Sequence, residues 1–217
     1  MKIVTVLRSG GEYTAEHVYW LDKQLCSRYD HICLTDVEIE GIKSVALKKD
    51  WTGWFAKLEL FDPDLIKDDI FYVDLDTVIV GGFDHMLTDN TLSALRDFYF
   101  PDYAASGIML IPHAAKLSVW QKLSAMTNDE LSTYRGDGEL LREIVDFNFL
   151  QDRYPGEIVS YKAHIAGRGM AGFSPTFSRG SKRLPAGAKI VCFHGRPRPW
   201  KLTLPWIPPL ASPTPCL

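Results

Sequence analysis

Two aspartates interrupt a run of strand-forming residues near the middle of the chain. The segment from Phe71 to Val80 reads FYVDLDTVIV, with Asp74 and Asp76 one residue apart. Residues two apart lie on the same side of an extended chain, and two like charges among apolar neighbours are costly unless a cation lies between them. Mg²⁺ and Mn²⁺ take oxygen ligands and leave positions open for substrate phosphates. The segment therefore predicts the floor of a metal–phosphate site; the alternative is a strand end whose aspartates cap a turn or pair with lysine.

The composition narrows the class of protein. Of the 217 residues, 46% are hydrophobic and 24% are charged, and the formal net charge is −3. Because there is no Lys/Arg run, neither nucleic acid nor an anionic membrane surface is expected as a partner. No stretch has the length of a transmembrane span, and the apolar run at the start is too short for a signal peptide. The four cysteines follow no regular spacing, so we expect a cytoplasmic protein with reduced thiols and no membrane span.

Strand and helix signals alternate along the first half of the chain. This order predicts an α/β fold with a mixed, mainly parallel central sheet flanked by helices. Asp74 and Asp76 would then lie beyond the carboxyl end of a strand, where such sheets bind ligands. The third predicted helix should turn Leu117, Trp120 and Leu123 inward. The predicted strands cover residues 2–7, 31–35, 44–47, the segment from 70, 93–98, 107–111 and 188–194, and the predicted helices cover about 15–29, 54–61, 114–126 and 138–149.

The C-terminal part of the chain contains a long loop and a proline-rich end. Residues 167–181 are rich in Gly, Ser and Arg, and loops of that length in compact domains are usually either functional lids or disordered. Acceptor or substrate surfaces lie on such variable loops. We expect one domain over residues 1–204 and no fixed structure in the tail, residues 205–217.

The last predicted strand leads into a segment with its own chemistry, AKIVCFHGRPRPW. His194 is a candidate third metal ligand, and Gly195 would let the backbone approach a phosphate closely. Arg196 and Arg198 offer guanidinium groups to a diphosphate. The alternatives are a histidine at a strand end, two surface arginines, and a Trp200 that only packs.

Five segments resemble, in the same order, those of the glycogenin-like retaining glycosyltransferases of family 8, which have the GT-A fold. AKIVCFHGRPRPW is similar to the family's C-terminal segment, which supplies a metal-binding histidine and diphosphate contacts, and FYVDLDTVIV is similar to its DxD block. The others are WFAKLELF, ASGIMLIP and GDGELL. Together with the first loop they span roughly residues 1–201 and imply a divergent member of the family, of bacterial or phage type.

The resemblance implies roles for individual residues. Lys57 would meet the sugar nucleotide, and Asp137 would lie near the sugar; these two are the predicted catalytic residues. Ser106 and Gly107 would line the donor sugar. In the first loop the residues that would contact the nucleotide are Leu7, Arg8, Ser9 and Tyr13, with the aromatic ring on the base. Three alternatives stay open: a solvated Lys57, an Asp137 that caps the helix after it, and a first loop that is only a turn.

The chain departs from the family pattern at three positions. Cys192 stands where the family has its metal histidine, Ala105 where it has Asn, and Gly138 where it has Gln. Because a cysteine thiolate suits Mg²⁺ or Mn²⁺ poorly, we expect His194, two residues further on, to complete the metal shell with Asp74 and Asp76.

The function predicted from these features is metal-dependent transfer of a hexose from a nucleotide-diphosphate sugar, with UDP as the expected nucleotide and with retention. Asp74, Asp76 and His194 would hold Mn²⁺ or Mg²⁺, while Lys57 and Arg198 would stabilise the leaving diphosphate. The acceptor, a glycan, a lipid-linked glycan or a protein, is not specified. This prediction depends on the three metal ligands meeting at one ion.

Two other functions compete with it. In a phosphatase of the haloacid-dehalogenase type, Asp74 would be the nucleophile and Asp76 the general acid, but that motif ends the first strand of its domain, whereas three predicted strands precede it here. A nucleotide-sugar-binding domain without catalysis would explain Cys192, Ala105 and Gly138. A polymerase-like nucleotidyltransferase would need a Gly-rich, basic N-terminal loop that the chain lacks.

Overall fold

The computed structural model describes residues 1–26, 28–167 and 182–210. In chain order the strands are β1 (Lys2–Leu7), β2 (His31–Thr35), β3 (Ser44–Ala46), β4 (Ile70–Val73), β5 (Val78–Ile79), β6 (Ser93–Arg96), β7 (Ala104–Ile111), β8 (Asn148–Phe149), β9 (Ile158–Ser160) and β10 (Ile190–Cys192). The α-helices are α1 (Ala15–Leu25), α2 (His113–Leu123), α3 (Asn128–Leu131), α4 (Asp137–Ile144) and α5 (Leu150–Arg153). Short 3-10 helices cover Gly53–Phe61, Asp84–Thr88 and Pro199–Lys201, and a π-helical turn covers Tyr161–Ile165.

Within these ranges, a seven-stranded sheet has the order β3-β2-β1-β4-β7-β6-β8. β3, β2, β1 and β4 pair in parallel, β7 is antiparallel to both β4 and β6, and β8 is parallel to β6. The predicted mixed, mainly parallel sheet is therefore confirmed. A smaller sheet joins β5, β10 and β9, so the chain that resumes after the two aspartates does not continue the central sheet.

The central strands are buried on both faces, which explains their unbroken apolar sequences. Along β4, Phe71 and Val73 belong to the hydrophobic cluster that includes α1, whereas Ile70 and Tyr72 belong to the cluster under α2 and α4. This alternation is the period of two that a strand imposes. Helices therefore cover both faces of the sheet.

Helix α2 agrees with the sequence prediction at Leu123, which is buried, and at Trp120, which packs partly buried on the core, but not at Leu117. Leu117 is 54% exposed, whereas Lys116 is fully buried together with Val119 and Leu123. The Lys116 ammonium donates to the carbonyl oxygens of Ile66, at 2.5 Å, and Asp68, at 3.0 Å. Because these hydrogen bonds satisfy the charged head group, the lysine stem can occupy a core position that the helical period assigns to an apolar residue.

Part of the predicted tail is packed on the core. Ile207 is buried, and the Trp20 indole N–H donates to the carbonyl oxygen of Pro208 at 2.9 Å. The prediction of no fixed structure is therefore wrong for residues 205–210, because their apolar side chains cover the cluster around α1. Residues 211–217 lie outside the described ranges, as do residues 168–181 of the predicted long loop.

Candidate active site

A cavity of about 610 Å³ lies where β1 and β4 end. Its volume is within the range of small-molecule sites. Most of the residues that line it follow β1 and β4, belong to β7 and the start of α4, or lie in the segment after β10. The predicted site residues that line it are Leu7, Arg8, Tyr13, Lys57, Asp74, Asp76, Ser106, Gly107, Asp137, His194, Gly195 and Arg198.

The two aspartates lie in a turn and not along a strand. β4 ends at Val73, the Asp74 N–H donates to the Gly107 carbonyl on β7 at 2.9 Å, and the Thr77 N–H donates back to the Asp74 carbonyl at 3.1 Å. The expectation of one extended chain through both carboxylates is therefore wrong. Asp76 is buried, at 3% exposure, and both residues line the cavity at the carboxyl end of β4, as predicted.

Lys57 lies between two carboxylates. Its ammonium donates to Asp74 Oδ1 at 2.9 Å and is 3.3 Å from Asp137 Oδ2. The Tyr72 hydroxyl donates to the same Asp74 oxygen at 2.5 Å. Burial lowers the pKa of Lys57, but the charges of Asp137 and Asp74 outweigh it and hold that pKa well above its usual value. The lysine is therefore a buried cation, and the alternative of a solvated side chain is excluded.

Arg198 lies between a second pair of carboxylates. Its guanidinium donates to Asp76 Oδ2 and, at 2.8 Å, to Glu12 Oε2. The Tyr13 hydroxyl donates to Asp76 Oδ2 at 3.0 Å. Burial and the neighbouring Asp74 raise the pKa of Asp76 to about 7, although Arg198 acts in the opposite direction. Four carboxylates therefore share two cations, which leaves an excess of negative charge at the cavity floor.

An aromatic cluster holds the segment that carries Arg198. The Trp200 ring lies 4.2 Å from His17, 5.5 Å from Trp20 and 6.0 Å from Tyr13, measured between ring centroids. These three residues belong to α1 and the loop before it. Trp200 therefore packs, as its alternative role predicts, and this packing positions Arg198.

His194 does not join the aspartates. Its Nε2 is 2.7 Å from the buried Ser160 hydroxyl, and its ring stacks on Phe98 with centroids 5.8 Å apart. Burial, with the nearby Lys162 charge, lowers the pKa of His194 to about 4, so the ring is neutral at pH 7. Among the described residues, no three His, Cys, Asp or Glu side chains are placed to hold one metal ion. The predicted set of Asp74, Asp76 and His194 is therefore not assembled, because the hydrogen bond and the stacking turn the imidazole elsewhere.

Without His194, the carboxylates of Asp74 and Asp76 still form a smaller set of ligands that fits a divalent cation. Asp74 and Asp76 supply hard oxygen atoms, and the excess of carboxylates at the floor favours an added cation. Mg²⁺ in particular is often held by one or two carboxylates together with substrate phosphates. Cys192 is not a suitable ligand, because burial and both aspartates raise the pKa of its thiol well above the usual value.

The first loop is fixed mainly through Asp36, the residue after β2. The Ser9 N–H and hydroxyl donate to the Asp36 carboxylate at 2.8 and 2.6 Å, and Arg8 donates to the Lys49 carbonyl at 3.1 Å. Leu7, Arg8 and Tyr13 line the cavity, but Ser9 is not among its lining residues. The structure therefore places Ser9 in support of the loop.

Small residues bring β7 and α4 close together at the other end of the cavity. A Cβ atom on Gly107 would lie 3.3 Å from Asp74 Oδ2, and one on Gly138 would lie 3.5 Å from Ser106 Oγ. Asp137 is the first residue of α4, and Gly136 is its N-cap. Asp137 therefore does not cap the helix, and its carboxylate pairs with Lys57 instead.

Comparisons with solved structures show which known proteins have a similar fold. The structure is similar to the glycosyltransferase GlyE of Streptococcus pneumoniae TIGR4, with a TM-score of 0.64 and 19% identity over 93% of this chain and 56% of that one. It is also similar to the galactosyltransferase LgtC in complex with donor and acceptor sugar analogs, with a TM-score of 0.52, 12% identity, and coverage of 92% and 89%. The bifunctional glycosyltransferase WbbM gives a TM-score of 0.54 and 13% identity, over 92% of this chain and 46% of that one.

The chain has the GT-A fold. It spans little more than half the length of GlyE. No protein-family model matches the sequence, and no curated protein does either. At identities this low the likeness shows the fold alone, and the assignment to family 8 stays a prediction. Three strands precede β4, the strand that leads to the aspartates, so Asp74 and Asp76 do not follow the first strand of the domain, as the phosphatase motif would require.

The sequence patterns did not identify several residues that line or support the cavity. Glu12 pairs with Arg198, Tyr72 supports Asp74, and Trp54, Phe98 and Tyr99 line the wall. Tyr72 alternates with the other apolar residues of β4, so its hydroxyl gives no separate signal.

Of the helices that the structure describes, none is both long enough and apolar enough to cross a membrane.

Proposed function

We propose that the protein is a glycosyltransferase that takes a hexose from a nucleoside-diphosphate donor, most simply a UDP-sugar. The observation that carries the proposal is one cavity, in a GT-A fold, that is lined by two largely buried cations, by the loop after β1 and by the small residues Ser106 and Gly107. Because Asp74, Asp76 and His194 do not meet at one ion, the fold and the charged floor of the cavity support the proposed function instead.

Each part of the donor has a matching part of the cavity. Leu7, Arg8 and Tyr13 would bind the nucleotide, with Ser9 holding their loop through Asp36. Gly195, whose φ is 71°, would give the diphosphate a close approach to the backbone. Ser106, Gly107 and Asp137 would line the donor sugar.

Lys57 and Arg198 would stabilise the leaving group. In the reaction the bond between the anomeric carbon and the diphosphate oxygen breaks, and its electron pair leaves with the nucleoside diphosphate. The acceptor oxygen forms the new bond to the anomeric carbon, and its proton passes to the diphosphate oxygen that leaves. Fixed cations aimed at developing negative charge contribute about 3–4 kcal/mol each. Asp137 would orient the sugar, and retention is proposed from the family resemblance.

Asp74 and Asp76 would hold Mn²⁺ or Mg²⁺. The ion would supply further positive charge to the diphosphate when bound. The two aspartates also have a role in the protein alone, because they hold the ammonium of Lys57 and the guanidinium of Arg198 in place.

A second candidate function is a nucleotide-sugar-binding domain without catalysis. It is favoured by Gly138 and Cys192, which stand where the resembling family has a polar residue and a metal ligand. Calorimetry with UDP, followed by hydrolysis and transfer assays with UDP-hexoses and Mn²⁺, separates the two candidates. We expect UDP binding together with release of free sugar, and loss of both in Asp76→Ala. Binding without turnover would favour the second candidate, and no binding of any nucleotide would overturn both.

A further inference from the structure

Three of the exposed large apolar side chains in the described part of the protein are aromatic. Trp54 is 59% exposed, Phe100 47% and Tyr103 52%, and the others are Val37 and Leu117. Exposed aromatic groups that lie together mark binding surfaces more often than scattered apolar residues do. The positions of these three relative to the cavity therefore matter.

Helix α4 contacts Trp54 near its start and Tyr103 near its end, and Tyr99, the residue before Phe100, lines the cavity. Trp54 lines the cavity, and its indole lies over Gly136, where a Cβ atom would be 3.3 Å from Trp54 Nε1. Two turns along α4, the Arg142 guanidinium lies 5.1 Å from the Tyr103 ring centroid. The Tyr103 and Phe100 rings are 6.4 Å apart. We call Trp54, Phe100, Tyr103 and Arg142 the aromatic rim.

The loop that presents Phe100 and Tyr103 is held in place by hydrogen bonds within the loop itself. Asp97 Oδ1 accepts from the N–H groups of Tyr99, at 2.8 Å, and Phe100, at 3.0 Å. The Asp97 N–H donates to the Tyr103 carbonyl at 2.8 Å, and the Tyr103 N–H donates to the Phe100 carbonyl at 2.9 Å. The rings are therefore exposed on an ordered loop, and a ligand that bound them would not have to order it.

We propose that the aromatic rim is the acceptor site and that its occupant is an oligosaccharide. This inference rests on the proposed function, because the acceptor hydroxyl must reach the donor sugar beside Asp137. The rim begins at Gly136, the residue before Asp137, so it is continuous with that end of the cavity. The apolar faces of sugar rings match aromatic rings that are separated along a surface, and the sugar hydroxyls match the polar edges of Trp, Tyr and Arg.

The charge of the rim favours a sugar over a membrane surface. Arg142 contacts a ring of the rim, and Arg96, which donates to the Pro101 carbonyl of the same loop, is paired with Asp152. An anionic bilayer is recognised by clusters of several unpaired Lys and Arg side chains. The formal net charge of the chain is −3. A lipid surface is therefore the competing occupant that the experiment must exclude.

The test uses the double variant Phe100→Ser/Tyr103→Ser. Neither residue lines the donor cavity. Labelled wild-type protein, the double variant and the control Leu117→Ser are applied to a glycan array in the presence of UDP. We expect oligosaccharide binding by the wild type and by Leu117→Ser, about tenfold weaker binding by the double variant, and equal UDP affinity in all three.

Three results would overturn the proposal while leaving the transferase function intact. These are equal glycan binding by the wild type and the double variant, no glycan bound by a wild type that binds UDP, and loss in the double variant of binding to phosphatidylglycerol vesicles but not to glycans. Failure of the wild type to bind UDP would contradict the proposed function itself, so the two failures are distinguishable. A thermal unfolding curve of the double variant shows whether it is folded.

Discussion

The floor of the cavity and the aromatic rim are built on opposite principles. At the floor, Lys57, Asp76 and Asp137 are each less than 9% exposed, and the cations are paired with carboxylates. At the rim, Phe100 and Tyr103 are about half exposed, and the Arg142 guanidinium lies against the Tyr103 ring. Substitutions at the floor should therefore change both the stability of the fold and the binding of a donor. Substitutions at the rim should change only the binding of an acceptor.

This difference separates stability from specificity within one cavity. Buried ion pairs are costly to break because the remaining partner keeps its charge in a place without water. Exposed aromatic rings contribute little to folding, but they become buried when a partner covers them. Four substitutions test whether the floor determines stability and the rim determines ligand binding.

Lys57→Met should have the largest effect on stability. It leaves Asp74 and Asp137 without their shared cation, and we expect the free energy of unfolding to fall by about 3–5 kcal/mol in urea titrations. Adding Asp74→Asn to Lys57→Met should restore part of the loss. The control Lys43→Met breaks an exposed pair with Asp30, where the two atoms are 3.7 Å apart, and should cost less than about 1 kcal/mol. Equal losses for the two lysines would contradict the view of the floor as a buried network.

The stability of the protein should respond to acid through His194, which lines the cavity and stacks on Phe98. Its folded pKa of about 4 lies below the unfolded value of about 6.5, so the stability that it contributes is full above pH 6.5 and is lost as the pH falls towards 4. Asp76, whose pKa is raised to about 7, has the opposite slope, because its contribution is lost as the pH rises from about 4 to 7. We therefore compare the wild type with His194→Gln. The difference in unfolding free energy between them should change by about 2 kcal/mol between pH 7 and pH 4; a constant difference would show that the buried, neutral imidazole is wrongly assigned.

Gly107→Ala should disturb the floor without removing a charge. The added Cβ atom would lie 3.3 Å from Asp74 Oδ2 and 3.5 Å from Leu95 Cδ1, so the carboxylate must move by a few tenths of an ångström. We expect a loss of about 1–2 kcal/mol in stability and about a tenfold loss in UDP affinity. Gly11→Ala is the matched control, because Gly11 also lines the cavity but a Cβ atom there meets nothing within 4 Å. An unchanged Gly107→Ala protein would show that the contact with Asp74 is loose.

Phe100→Ser should have the smallest effect on folding. The residue is 47% exposed, and we expect a change of less than about 0.5 kcal/mol in the free energy of unfolding. Phe61→Ser, at a fully buried position of the same residue type, should cost about 3–5 kcal/mol. A large loss for Phe100→Ser would mean that the rim is part of the core, and its separation from the floor would then fail.

The sequence predicts those parts of the molecule whose physical signal is local. Strand β2 and strand β1 were found with their bounds because apolar runs of that length fit a doubly covered strand. The prediction for Leu117 on α2 was wrong because Lys116 takes the buried position beside it, and the head group of Lys116 depends on a carbonyl group of a distant loop. Helix α1 ends at Leu25 and not near residue 29, because Cys26 adopts the left-handed conformation with φ 51°.

The candidate site was only partly predictable for the same reason. The spacing of Asp74 and Asp76 is visible in the sequence, and the resemblance pointed to Lys57 and Arg198. The pairing of Arg198 with Glu12 joins residues 186 positions apart, and no pattern in the chain indicates it. The aromatic rim combines three separate segments, so its residues have no common period. His194 was misplaced because the partner that orients it, Ser160, lies on another strand.

The link between Arg198 and Asp76 has a consequence for synthesis and folding. The two residues are 122 positions apart, and the second carboxylate, on Glu12, lies near the other end of the described chain. Contacts of such high sequence separation form late, since the loop-closure entropy must be overcome first. During translation the acidic turn after β4 therefore leaves the ribosome long before its guanidinium partner, and the floor of the cavity becomes complete only after the segment with Arg198 has emerged.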